Sequence, residues 1–266
     1  MSILTPIRKA VVVAAGKGRR LAPYTDEMPK CLVPVRGRPM LARQLDAFRA
    51  HGVVETVVVR GYKADVLERR RSELGPGVRF VENLDYERNN ILSSLFKAES
   101  ELDGPFLFTY ADIVFAQEVV GELLSADGDI CLIIDQDFAK VYDGRTDHPL
   151  AEAEVCALSP SGHVAAVGKR SIPPHEAFGE FIGLAKFSAR GATMLLSAWR
   201  KAKSEYVGRE DAPFMRAPRF QEAYLTDLLQ FLIDEGVPLT PVPIRGRWRE
   251  IDTVQDLRRA EDSVDW

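Results

Sequence analysis

The sequence predicts an α/β fold: a mostly parallel central sheet flanked by helices and carrying a β-rich insertion. Three observations predict it. Apolar runs of strand length alternate with helical periodicities through the first half, the pattern of a parallel sheet with crossover helices. The first such run, Ala10 to Val13, opens directly into a glycine-rich, cationic loop. In the second half two β-rich runs flank Ser159-Pro160-Ser161-Gly162, a turn sequence suited to a hairpin.

Each element can be justified in order. Leu41, Leu45 and Phe48 fall at helical spacing and Gly52 supplies a stop, after which Thr56 to Val59 and Val78 to Val81 read as strands. Ile91, Leu92, Leu95, Phe96 and Leu102 make one helical stripe, leading to an apolar strand, Pro105 to Tyr110, that runs out at Asp112. Ala153 to Leu158 and His163 to Gly168 are the hairpin arms, expected to lie over the sheet, and Gly179 to Phe187 is a further strand. Ala192 to Lys203 and Glu222 to Asp234 are helices. Leu239 to Ile244 carries prolines and is therefore an edge strand. The Pro-interrupted stretch Gly208 to Pro218 reads as a mobile loop, a lid or an oligomer contact.

At 266 residues and 46% hydrophobic content the chain can bury one substantial core, so a single domain over 1–266 is expected. The net charge of −4 offers no global attraction to nucleic acid. The one dense basic run, Arg69 to Arg71, is bracketed by Glu68 and Glu73 and reads as a solvated helix face. Cys31, Cys131 and Cys156 are scattered, which disfavours zinc and a disulfide framework; Cys31, beside Lys30, is expected to be the more reactive. Only a short apolar run follows Arg8 and Lys9, far below the roughly 20 residues of a membrane helix, so no membrane partner and a cytoplasmic location are expected.

The most informative stretch is Ala14-Ala15-Gly16-Lys17-Gly18-Arg19-Arg20-Leu21, followed by Pro29-Lys30. Gly16 and Gly18 let backbone N–H groups approach an anion, while Arg20 and Lys30 bring positive charge to a polyphosphate. Leu21 stands where a dinucleotide fingerprint wants its third glycine, and the Gly-Lys-Ser/Thr of a Walker loop is absent.

Two carboxylates could join that loop. Asp112 ends an apolar strand, where ligands gather in open α/β sheets. Asp252 precedes an amphipathic segment, and Thr253 with Asp256 resembles a capping box. With Mg²⁺, two such acids would bridge triphosphate oxygens and align an in-line attack on the α-phosphorus. No Ser-His-Asp or Cys-His set is visible, and this chemistry requires none. Of His51, His148, His163 and His175, only His148 is placed near a substrate. Lys140, Arg145, His148 and Lys169 concentrate positive charge in one segment and suggest a face for an anionic acceptor. Glu152, Glu154 and Glu180 could equally read an amine or quaternary ammonium, with Tyr142 or Phe178 as an aromatic wall.

The pattern Ala-Ala-Gly-x-Gly-x-Arg-Leu, with Thr25 and Pro29-Lys30-x-Leu32-Val33-Pro34-Val35, resembles the sugar-nucleotide-type nucleotidyltransferases, and among them the phosphocholine and phosphonate cytidylyltransferases. Asn89-Asn90-Ile91-x-Ser93-Ser94-Leu95 resembles the base-proximal region of the latter, Leu225-Thr226-Asp227 resembles a segment of the sugar-nucleotide relatives, and Glu250-Ile251-Asp252-Thr253 resembles their second metal aspartate. Tyr110-x-Asp112 departs from the usual Asp-x-Asp and leaves Asp112 as that strand's sole metal ligand.

The resemblance implies a Rossmann-like nucleotidyltransferase fold with a nucleotide-binding half, 1–135, and a half for the acceptor and second metal ligand, 136–266. It implies CTP contacts from Ala14, Ala15, Gly16, Gly18, Asn90 and Ser94, Mg²⁺ on Asp112 and Asp252, and Arg20 and Lys30 as the cations that stabilise the transferring phosphate. Lys169 joins them as a candidate catalytic cation, and Tyr142, Arg145, His148 and Glu180 are the acceptor-binding candidates. The expected reaction moves CMP from CTP to a small phosphonate such as 2-aminoethylphosphonate, 2-hydroxyethylphosphonate or phosphonoformate, with release of pyrophosphate. Phosphocholine, a sugar 1-phosphate, and a non-catalytic nucleotide-sensing role are the alternatives, and a homodimer is the assembly to test.

Overall fold

The computed structural model describes residues 6–266. It opens with β1 (Lys9–Ala14), short strands β2 (Pro34–Val35) and β3 (Arg38–Pro39), α1 (Met40–Ala50), β4 (Glu55–Arg60), α2 (Ala64–Arg69) and β5 (Val78–Glu82). Next come α3 (Ile91–Leu95), β6 (Phe106–Tyr110), β7 (Ile113–Phe115), α4 (Gln117–Ser125) and β8 (Ile130–Asp135). The rest comprises α5 (Phe138–Tyr142), β9 (Glu154–Leu158), β10 (Val164–Lys169), β11 (Gly179–Phe187), α6 (Ala189–Glu205) and α7 (Leu225–Asp234). The chain closes with β12 (Thr240–Ile244), β13 (Trp248–Glu250) and α8 (Val254–Ser263).

β6, β1, β4 and β5 lie side by side and parallel. Strand alternation then makes three layers. Val11, Val57, Val59, Phe106 and Phe108 face α3, α6 and α7 in one buried cluster. Ala10, Val12, Val58 and Leu107 face α1 and α4 in the other. β11 continues the sheet antiparallel to β6, pairs β8 along its other edge, and β12 lies parallel to β8. Pro241 and Pro243 sit on that outermost strand, where a missing N–H costs no ladder bond.

Several expectations change. The β9–β10 hairpin does not lie over the sheet: it extends it, joined to the start of β11 through Gly179↔Cys156 and Glu180↔Val155. The stripe from Ile91 to Leu102 is not one helix, because α3 passes into a 3₁₀ segment, Phe96–Glu101, with Ala98 off helical geometry. The Gly208–Pro218 stretch is anchored, with Phe214 and Ala217 buried and Phe214 packed on Tyr206, Phe220 and Phe231. β8, unread in the sequence, is buried at every position.

A smaller apolar cluster positions the site. Leu21, Val33, Met40, Val114, Ile251, Leu257 and Ala260 pack the cationic loop, β7, β13 and α8 into one block. Among the described residues no helix is long and apolar enough to cross a membrane.

Candidate active site

At the carboxyl end of β1 the chain turns through Ala15 to Gly18 above a cleft of about 380 Å³. Gly18 adopts φ +59°, and a Cβ there would stand 2.9 Å from Lys30 Cβ, so glycine permits both the turn and the close approach of the lysine. Thr25 Oγ1 fixes the turn by donating to the Gly18 carbonyl at 3.1 Å. Lys30, Asn90, Asp112, Lys169, Glu180 and Asp252 all line this cleft, with Ala14, Ala15, Gly16, Arg20 and Ser94.

Asp112 and Asp252, far apart in sequence, meet because β7 and β13 pair with Ile113 opposite Glu250, and Ile251 N donates to the Asp112 carbonyl at 2.9 Å. Lys30 Nζ bridges them: it donates to Asp112 Oδ2 at 2.8 Å and to Asp252 Oδ1. Burial pulls the Lys30 ammonium down, but the two carboxylates outweigh it and hold the group above its ordinary range. Burial likewise disfavours ionised Asp252, yet Lys30, the His148 bond and Arg20 keep its carboxyl well below the usual carboxylate range. Arg20 Nη2 reaches Asp252 Oδ2 at 2.6 Å, and His148 Nδ1 lies 3.0 Å from that oxygen.

His148, Glu250 and Asp252 bring one ligand atom each to within 4.8 Å of one another. With Asp112 on the far side of Lys30, the carboxylate oxygens suit a hard cation, and a positive ammonium already sits between two of them. Glu250 carries a signal the sequence offered: in extended backbone it shares a face with Asp252. Burial and the charge of Asp252 push its carboxyl up.

The expected acceptor cations fare differently. Arg145 points away from the cleft, its guanidinium gripping Asp256 at 2.6 and 3.0 Å and Glu250 at 2.9 Å. Asp256 also accepts from Asp252 N and Thr253 N at 3.1 and 2.9 Å, completing the capping box of α8. Arg145 therefore steadies the aspartate's backbone and touches no cleft surface. Lys140 is exposed and paired with Asp137. His148 is buried against Asp252 and Glu250 rather than facing an acceptor. Tyr142 forms no wall: it is buried behind Glu180 and donates to its Oε1 at 2.7 Å. Phe178 packs into the core.

One stretch of the cleft wall is acidic and aromatic. Glu152, Glu154, Glu180, Glu250, Tyr110 and Tyr224 line it, with Lys169 as its cation. Lys169 Nζ donates to Glu152 Oε2 at 3.1 Å and lies 4.7 Å above the Tyr224 ring. Glu154 accepts from Tyr110 Oη at 2.9 Å and Thr226 Oγ1 at 3.0 Å, and burial pushes its carboxyl up to about 7. Glu180 is buried, Oε2 has no partner, and burial followed by the charge of Glu250 raises it well above the usual range.

Elsewhere in the cleft, Asn90 caps α3 by accepting from Ile91 N and donates to the Glu222 carbonyl. Ser94 Oγ accepts from Asn83 Nδ2 at 2.8 Å, and Asn83 also holds Asn89. Cys31 is buried, and burial pushes its thiol up to about 12, the reverse of activation.

Residues 10–178 match the MobA-like NTP transferase domain. Over 254 residues the chain is 28% identical to the CTP:phosphoglutamine cytidylyltransferase of Campylobacter jejuni, covering 93% of this chain and 97% of that one. It is 30% identical over 200 residues to the 2-aminoethylphosphonate cytidylyltransferase of Lancefieldella rimae, covering 74% and 73%. The fold is shared with the CTP:phosphocholine cytidylyltransferase of Streptococcus pneumoniae, at TM-score 0.71, 21% identity and coverage of 96% and 99%. It is shared also with the inositol-1-phosphate CTP transferase of T. maritima, at TM-score 0.75, 20% identity and coverage of 99% and 100%.

Proposed function

The chain belongs to the MobA-like NTP transferase family and is a nucleotidyltransferase, and on that footing we propose that it is a Mg²⁺-dependent cytidylyltransferase transferring CMP from CTP to a small phosphonate that carries an amino group, 2-aminoethylphosphonate first among them. The observation that carries the acceptor reading is the buried, unpartnered Oε2 of Glu180 beside Glu154 and Glu250. An acceptor ammonium would satisfy that oxygen and relieve the mutual repulsion of the acids. The names of three of the relatives support the same reading, since phosphoglutamine, 2-aminoethylphosphonate and phosphocholine carry nitrogen as well as phosphorus, whereas inositol 1-phosphate does not.

In the proposed reaction a phosphonate oxygen attacks the α-phosphorus of CTP, a new P–O bond forms, and the bond to the bridging oxygen breaks with pyrophosphate as leaving group. The acceptor is already an anion, so no protein base is needed. The backbone of Ala14 to Gly18 receives the triphosphate, and Asn90 and Ser94 stand at the end of the cleft proposed for the base. Arg20 and Lys30 leave their carboxylate partners in part to stabilise charge gathering on the α-phosphate. Lys169 holds the phosphonate end of the acceptor. Mg²⁺, when bound, would be held by Asp112 and Asp252, with Glu250 beside them, and would supply charge neutralisation across the triphosphate.

The test is pyrophosphate release with Mg²⁺ across CTP, UTP, ATP and dTTP against phosphonates, phosphocholine and hexose 1-phosphates. Release with CTP and 2-aminoethylphosphonate is expected. Release only with a hexose phosphate overturns the reading in favour of a sugar-nucleotide enzyme. CTP binding with no release under any acceptor revives the nucleotide-sensing role.

A further inference from the structure

Behind the Arg145–Glu250 pair lies a second cavity, about 190 Å³, bounded by Asp137, Lys140, Arg145, Arg249, Glu250 and Arg259 among others. It is smaller than the roughly 300–1,000 Å³ of pockets that take drug-sized ligands. Its charges do not close on themselves. Asp137 is taken by Lys140 at 3.0 Å and Arg245 at 3.1 Å, while Glu250 and Asp256 are taken by Arg145. Arg249 and Arg259 have no carboxylate partner among the described residues. Arg249 donates to Ser263 Oγ at 3.1 Å and to the Trp248 carbonyl at 2.6 Å. Arg259 donates to the carbonyls of Asp143 and Val141 at 2.8 and 3.0 Å. Neutral oxygens orient both forks, and neither guanidinium is in an ion pair, although Asp135 acts on Arg249 from a distance and Arg249 lies 5.8 Å from the Trp266 ring centroid. Burial, and then the charge of Arg259, lowers the pKa of Arg249. Arg145 adds a third feature, a buried Nη1 with no hydrogen-bond partner.

We propose that this cavity is a binding site for a small phosphate-class dianion, held between the guanidiniums of Arg249 and Arg259 with Lys140 at its rim. Two unpaired cations from separate elements, the strand β13 and the helix α8, match a tetrahedral dianion better than a planar monocarboxylate, which one guanidinium fork can satisfy alone. Glu250 belongs to the walls of both cavities, so the anion would lie one side chain away from the cleft. The inference stands apart from the acceptor reading, because none of its cations lines the cleft.

Calorimetric titration of the full-length protein with inorganic phosphate tests it, on the wild type, Arg249→Gln, Arg259→Gln and Lys30→Ala. Phosphate binding that persists in Lys30→Ala, and that either arginine variant weakens about tenfold or more, is expected. The two arginine variants report independently, so a folding defect in one leaves the other to decide. Binding lost in Lys30→Ala and unchanged in both arginine variants assigns the phosphate to the nucleotide cleft and overturns the proposal. No binding to the wild type at millimolar phosphate overturns it as well, and acetate displacing phosphate on equal terms overturns the assignment to a dianion.

Discussion

Tyr142 donates its phenolic hydrogen to Glu180 Oε1 at 2.7 Å, and the second carboxylate oxygen of this cleft-lining residue is buried with no partner of its own. Glu180→Gln should therefore raise KM for 2-aminoethylphosphonate about 10–100-fold, the range of a lost charge-assisted hydrogen bond. The same variant should use 2-hydroxyethylphosphonate nearly as the wild type does. Steady-state pyrophosphate assays with both acceptors check this; equal losses for the two would remove Glu180 from ammonium recognition.

Lys30→Ala should keep its far-UV circular dichroism and lose most turnover. One charge contact at about 4 Å in an effective dielectric near 20 is worth about 4 kcal/mol. Realised only in the transition state, that is roughly a thousandfold in kcat. A wild-type rate in a correctly folded Lys30→Ala protein removes the lysine from the mechanism.

Glu154 titrates near neutrality because burial raises its carboxyl from its ordinary 4.5 to about 7. A carboxyl raised on folding stabilises the protein in full below its unfolded value, and that contribution is lost as the pH rises through the folded one. The span corresponds to about 3 kcal/mol, at about 1.4 kcal/mol per pH unit. The margin of wild type over Glu154→Gln in urea unfolding should shrink by about that amount between roughly pH 4.5 and pH 8. A margin independent of pH would show Glu154 ionised throughout.

Arg145→Ala leaves Asp256 and Glu250 buried without their cation and should destabilise by about 3–5 kcal/mol. Because Asp256 accepts the backbone N–H of Asp252, kcat should fall too, while the acceptor KM stays close to that of the wild type. An increase confined to acceptor KM would instead restore Arg145 as a contact in the cleft.

The sequence made half of this arrangement visible. The loop from Ala14 to Arg20, Lys30 and Asp112 could be read because each sits on or just after a strand end, where local pattern and chemistry coincide. The arginine was misleading for a nonlocal reason: Arg145 looks like a free cation until α8 brings Asp256 to it from 111 residues away. The same holds for Tyr142, whose partner Glu180 lies on another strand. β8, unread in the sequence, is legible by the same rule as β1 and β6: Ile130 to Ile134 is an uninterrupted apolar run of strand length with both faces buried. Asp112 and Asp252 could each be suspected, but only the β7–β13 pairing shows them sharing one ammonium.

β11 is the seam of the molecule. Its later residues lock onto β6, and its register shifts between Phe181 and Ala185, where Gly183 lies so close to Tyr110 that any side chain would strike the ring. Its first residues hold the β9–β10 hairpin by only two residue pairs. A structure joined this way is divisible: on the proposed function, the hairpin, with Glu154 and Lys169, can be remodelled for a new acceptor while the strands that present Lys30's partners stay in register. Descent within such a lineage would change what is activated without reinventing how.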